Sequence, residues 1–370
     1  MQPPVDFVSE ASMSIRYLLN TVCILFTVIG FSNLGRTASQ AASSGVHQDI
    51  TLASSFSAIH QEPIWTTSGY TLLVHRDSRT SAVPTGWVRV YTPSGSEQAT
   101  ITPANDIPNL TRLAVWSGDI NAQGLIALAV VAVPATGSRY SAILLYDSSG
   151  KLVQTIREDG RAYFNLVFDH QGDICAFSID LNAAGKGSDY DTVVRYSTTG
   201  SKLGSFLRRS ELPAQVEIGD EDDWIGGRFS FGRTPRGVYL FIPQTQQYIE
   251  SDYSGRILAS ASPIKPDMGA GNDAGSSSGW VKTDVDRVVV DDLGNVYTGF
   301  QQQYSINGSA GFHFGVFRLN QTNMKWDELG GITSAPVPGR LIGIENGNLV
   351  FLCSSNGAVW TLKMSSPGSL

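Results

Sequence analysis

Glu217-Ile-Gly-Asp220-Glu-Asp222-Asp223-Trp224 places five carboxylates and an indole within one octapeptide. Carboxylates crowded in this way repel one another, and a cation relieves the repulsion. Asp220, Asp222 and Asp223 are therefore candidate ligands for Ca²⁺, which takes oxygen donors, and Trp224 is a candidate contact for a cationic or sugar ligand. The run lacks the glycine and the alternating spacing of a calcium loop, so a solvated acidic surface explains it better. Asp189-Tyr190-Asp191 is a second polar group that could converge on the same place.

Other chemistry is sparse. Gly275-Ser-Ser277-Ser-Gly279 matches a nucleophile elbow by letter, but it sits in a Gly/Ser-rich stretch with no strand before it and no helix after it. His47, His60, His75, His170 and His313 show no metal-ligand spacing. Cys175 and Cys353 each lie in an apolar, strand-like run and read as buried thiols. Nothing in the sequence specifies a cofactor.

These candidates must be positioned by strands. Short β-branched and aromatic runs alternate with turn clusters throughout, and no long run after the N-terminal region has helical apolar periodicity. One unit recurs as strand, Gly-closed turn, strand. Its clearest copies are Val288-Val-Val-Asp291-Asp-Leu-Gly294-Asn-Val-Tyr297 and Asn165-Leu-Val-Phe-Asp169-His-Gln-Gly172, with weaker ones at Asp119–Gly124, Phe231–Gly237 and Ile344–Gly347. A second unit ends a strand on an aromatic residue and closes its turn on glycine, as in Ile143-Leu-Leu-Tyr146-Asp-Ser-Ser-Gly150 and Val193-Val-Arg-Tyr196-Ser-Thr-Thr-Gly200. The aspartate is expected to bond the turn's own amides, and the glycine to take the left-handed conformation. Gly69, Gly124, Gly172, Gly237, Gly294 and Gly347 mark six copies, spaced about 56 residues apart against ~40 to 50 for a four-stranded blade.

The expected fold is all-β: a six-bladed β-propeller of four-stranded antiparallel blades, closed into a ring by an N-terminal strand. After Gly347 only two strands remain, Asn348 to Ser354 and Ala358 to Met364, so Gln48 to Ser57 is expected to supply the outer strand of the last blade. The paired turn signatures resemble those of the NHL-repeat and TolB-like six-bladed propellers. That resemblance implies a fold more than an activity. Strand alternation sends both kinds of Gly-closed turn to one face and the longer loops, including 180–191, 207–227 and 261–286, to the other, where a ligand site is expected.

Tyr17 to Phe31 is an apolar run preceded by Arg16 and followed by Ser39-Gln40-Ala41. This is the layout of a signal peptide, too short to span a bilayer as a helix, with cleavage expected after Ala41. Residues 42–370 then form a single propeller domain, secreted or periplasmic, with no membrane span after cleavage. The net charge of −7 argues against a nucleic-acid partner. Two function classes follow. One is a non-enzymatic binding or scaffold module for a protein, carbohydrate or small molecule. The other is a metal-dependent hydrolase or lyase of the six-bladed lactonase type, which the resemblance implies would hold Ca²⁺ in its channel.

Overall fold

The computed structural model describes residues 48–51, 61–75, 86–213, 229–243, 245–261, 280–306, 309–332, 341–354 and 360–365. The expected leader, residues 1–41, lies outside them, as do Asp220, Asp222, Asp223 and Trp224. No helix among the described residues is long and apolar enough to cross a membrane.

The described chain is an all-β propeller of four-stranded antiparallel blades with little helix. Five blades are each wound from one continuous segment, five rather than the six expected. Blade 1 is Gln61–Trp65, Thr71–His75, Val88–Tyr91 and Glu97–Ile101; blade 2 is Leu110–Ile120, Ile126–Pro134, Tyr140–Tyr146 and Leu152–Ile156. Blade 3 is Arg161–Phe168, Ile174–Asp180, Asp191–Tyr196 and Lys202–Arg208, and blade 4 is Ser230–Thr234, Gly237–Ile242, Gln247–Asp252 and Ile257–Ala261. Blade 5 is Trp280–Val290, Val296–Ile306, Ser309–Asn320 and Lys325–Ile332. A further four-stranded sheet is composite: Leu341–Glu345, Asn348–Ser354 and Trp360–Ser365 from the C-terminal end, with Gln48–Thr51 added at its outer edge. Gln48 pairs with Met364 and Thr51 with Thr361, so the two ends of the described chain share one sheet.

The second strands of blades 1 to 4 are buried on both faces, which is why a strand such as Ile126-Ala-Leu-Ala-Val-Val-Ala-Val-Pro134 reads as a nearly continuous apolar run. The core is accordingly divided into layers, one at each seam. Leu72, Val90, Leu128 and Leu144 pack between blades 1 and 2, and Ala129, Tyr163, Phe168 and Ala176 between blades 2 and 3. Phe177 and Leu240 join blades 3 and 4, and Phe241, Phe300 and Trp326 join blades 4 and 5. The composite sheet is packed on one side against blade 5 through Leu341 and Phe351, and on the other against blade 1 through Ile342 and Leu352.

The two clearest copies of the first turn follow the expected chemistry. Asp291 Oδ1 accepts the amides of Leu293 and Asn295 at 2.9 and 2.7 Å, and Gly294 sits at φ +84°. Asp169 repeats the arrangement with the amides of Gln171 and Asp173. The other copies depart from it. In the copy beginning at Asp119 the turn residue is Asn121, whose Oδ1 accepts from Gln123 and Leu125, which leaves Asp119 for another task. Gly237 is not left-handed; it is glycine because a Cβ there would collide with the carbonyl oxygen of Ser251 on the paired strand.

Candidate functional site

The innermost strands of the five blades and of the composite sheet surround a cavity of about 450 Å³. An innermost strand has no ladder partner on its channel edge, so its amides must find acceptors elsewhere. Side chains of the preceding blade supply several. Ser117 Oγ accepts from the amide of Leu166 at 3.3 Å, and Ser230 Oγ accepts from the amide of Val288 at 3.0 Å.

The cavity wall is shaped by register breaks. The pairing of Leu110–Ile120 slips between Val115 and Ser117, that of Arg161–Phe168 between Tyr163 and Asn165, and that of Trp280–Val290 between Val285 and Val288. A bulge adds one unpaired residue and re-aims its side chain. The residues at these breaks include Trp116, Phe164 and Arg287, and all three line the cavity. Trp116 and Phe164 lie on neighbouring blades with ring centroids 4.7 Å apart at 35°. Both are half-buried on the cavity wall. Phe177 backs Phe164 and also touches Phe229 and Phe231, extending the apolar side to blade 4.

Polar groups gather where the channel meets the first turns of the blades. Asp119 is 3% exposed. Its Oδ1 accepts from the amide of Thr67 at 2.8 Å, and its Oδ2 accepts from the amide of Phe168 at 2.7 Å and from Thr67 Oγ at 3.0 Å. One carboxylate on blade 2 thus ties blade 1 to blade 3. Burial pushes its pKa up to about 6 although the bonds from Phe168 and Thr67 oppose the shift. The Thr66–Gly69 turn is held from two further directions. Arg233 of blade 4 donates through Nη2 to the Thr67 carbonyl at 3.3 Å, and the Glu345 carboxylate lies over Gly69. Burial raises the Glu345 pKa as well. The seam is reciprocal, since Trp65 of blade 1 lies against Gly343 of the composite sheet.

Sequence reasoning missed this site because its residues are scattered over six strands. Only one signal was available. Asp119 interrupts an apolar strand, five residues ahead of its turn glycine, where blades 3 and 5 carry Val167 and Val289. The other expected candidates are spread apart or occupied. Asp189 accepts from Ser210 N at 3.0 Å, Ser210 Oγ at 2.9 Å and Arg208 Nη1 at 3.4 Å, and Asp191 accepts from Ser205 Oγ at 2.6 Å, so both serve their own blade. The Ser210 hydroxyl bond in particular holds the Asp189 carboxyl below the usual range. Asp180, expected in a loop, instead caps a short helix, Leu181–Ala184, accepting the amides of Asn182 and Ala183. His170 is exposed in its turn and pairs through Nε2 with the Thr234 carbonyl at 3.0 Å. Cys175 is a buried free thiol whose pKa is raised by burial. Among the described residues, no three His, Cys, Asp or Glu side chains converge as a metal site. The described cavity runs out to the face of the Gly-closed turns, through Thr67, Ser68, Pro235 and Asn346, whereas the loops at 214–228 and 262–279 lie outside the described residues.

No protein-family model matches the chain. No curated protein matches it either. Solved structures do. A glucose dehydrogenase structure is similar at TM-score 0.39 and 13% identity, covering 86% of this chain and 99% of that one. The apo-form of the soluble aldose sugar dehydrogenase from Escherichia coli is similar at TM-score 0.37 and 13% identity, again over 86% and 99%. A chain of the mitotic checkpoint complex is similar at TM-score 0.37 and 9% identity, over 92% and 98%.

Proposed function

We propose that this protein is an exported, non-enzymatic binding module that receives a small ligand in its channel, with the composite sheet acting as the sixth blade of an NHL-like or TolB-like ring. One observation carries the reading: register breaks on successive innermost strands bring Trp116 and Phe164 together on the wall of a cavity of about 450 Å³. That volume is in the range of small-molecule sites, which are concave and mostly apolar with a few placed polar groups. Bulges of this kind recur where a side chain has to be re-aimed.

The test is to fill the channel. Asn165 is half-buried beside Phe164 and lines the cavity, so Asn165→Trp should occupy the space while leaving the blades paired. The wild type is titrated calorimetrically with a panel of sugars, amino acids, organic acids and short peptides. At least one member should bind saturably, and the variant should bind it at least tenfold more weakly. A panel ligand that binds both proteins equally well would remove the channel from consideration.

The export half of the proposal rests on the Tyr17–Phe31 apolar run and the small residues before Ala42. N-terminal sequencing of the protein recovered outside the cytoplasm should read Ala42-Ser-Ser-Gly-Val. A first residue of Met1 or Met13 would contradict it.

A further inference from the structure

We infer that the channel ligand is a small organic monoanion, a carboxylate on a flat apolar body, whose charged end pairs with Arg233. This rests on the channel reading above and specifies its ligand class.

Arg233 is half-buried on the channel wall, where desolvation makes an uncompensated charge costly. A guanidinium in such a place normally meets a carboxylate in a two-pronged contact, because its five donors form a rigid fork. Contacts of that kind occur elsewhere in the described chain. Arg236 grips Glu250 through Nε at 3.1 Å and Nη2 at 2.8 Å, and Arg195 reaches Asp169 and Asp173, each at 2.8 Å. Arg233 differs. Its one hydrogen bond among the described residues is the 3.3 Å contact to the neutral carbonyl of Thr67, and no described carboxylate lies within 4.0 Å of it. Four of its five donors are therefore left for something that enters the channel.

The neighbouring wall says what the rest of that ligand is. Phe164, Phe229 and Phe231 line the cavity half-buried around Phe177, so a flat apolar group has a surface to stack on. Arg287 stands on the innermost strand next to that of Arg233 and lines the same cavity. The acidic side chains of the wall limit the charge the ligand can carry. Asp119 and Asp291 spend their oxygens on turn and inter-blade donors, Glu345 covers Gly69, and Asp292 is exposed on the same wall. A dianion would face these groups at close range, whereas a monoanion is balanced by the guanidinium alone.

The experiment uses the full chain and three probes of one shape: phenylacetate, phenylacetamide and phenyl phosphate. Binding is followed by calorimetry and by quenching of tryptophan emission. Phenylacetate should bind saturably, at least tenfold tighter than the amide and tighter than the phosphate ester, and its affinity should fall as sodium chloride rises from 0.02 to 0.5 M. Arg233→Gln should lose at least tenfold in phenylacetate affinity, Arg233→Lys should lose less, and Arg157→Gln on the outer surface should change nothing. Should Arg233→Gln not fold, the salt dependence and the acid-to-amide ratio of the wild type decide alone. Equal affinity for acid and amide, indifference to salt, or an Arg233→Gln variant that binds like the wild type overturns the monoanion while leaving the channel site intact. Preference for the phosphate ester overturns the single charge. Failure of all three probes to bind a protein that does bind another panel ligand, through the site blocked by Asn165→Trp, also overturns it.

Discussion

Gly237→Ala is expected to destabilise the protein by about 3 kcal/mol, near the top of the range for overpacking a closely fitted site. The added methyl would run into the Ser251 carbonyl oxygen and come within 2.7 Å of Asp252 Cα, both backbone atoms of the strand hydrogen-bonded to Gly237–Ile242. Backbone atoms in a ladder cannot swing aside as a side chain can. The Thr234–Gly237 turn, where Thr234 Oγ accepts the amides of Arg236 and Gly237, must deform with it. Gly294→Ala is the informative companion. Nothing lies within 4 Å of a Cβ at Gly294, but its φ is +84°, so the cost there is conformational, about 1 to 2 kcal/mol. Urea unfolding of both variants checks the pair, and equal midpoint shifts would show that steric contact at Gly237 has been overestimated.

Asp119 should make stability fall as pH rises from about 4 to 6. Its folded pKa, about 6, lies above the ordinary value of 3.8, so in that window the unfolded chain has released the proton while the folded protein still holds it. Stability then declines with pH, by about 1.4 kcal/mol per unit and about 3 kcal/mol over the window, and levels off above the folded pKa. Below pH 4 both states are protonated and the effect vanishes. Asp119→Asn removes the titration. It also places an amide where Oδ1 or Oδ2 accepts from Thr67 or Phe168, so one bond between blades is lost at every pH. The gap in unfolding free energy between wild type and variant should therefore narrow by about 3 kcal/mol from pH 4 to pH 7. Parallel pH curves for the two proteins would contradict the burial-driven shift.

Much of the fold was readable because turn chemistry is local. Asp169 and Asp291 bond the amides two and four residues ahead, as an aspartate before a left-handed glycine should, and the strand missing after Met364 was found at Gln48–Thr51, within the expected stretch. What was misread was non-local. The Asp119 copy looked like the others by composition, yet its carboxylate acts on Thr67 and Phe168, 52 and 49 residues away. The count of continuous blades came out as five because the last set of strands draws its outer member from the other end of the chain. The cavity was invisible for the same reason. No window of sequence contains both Trp116 and Arg233, and the register breaks that aim Trp116 and Phe164 depend on which residue of the next strand pairs with which.

Joining Gln48–Thr51 to Trp360–Ser365 also sets the order of events during folding. Bringing together two segments separated by about 300 residues of free chain costs about 5 kcal/mol of loop entropy, with only four residue pairs to repay it. The same contact becomes cheap once the intervening blades have formed and their curvature has carried the two ends to one place. The clasp is thus a late event that reports completion of the ring rather than a nucleus that starts it. Until the strands of residues 341–354 have docked, blade 1 and blade 5 each keep an open flank, and Trp65 has no Gly343 to rest on.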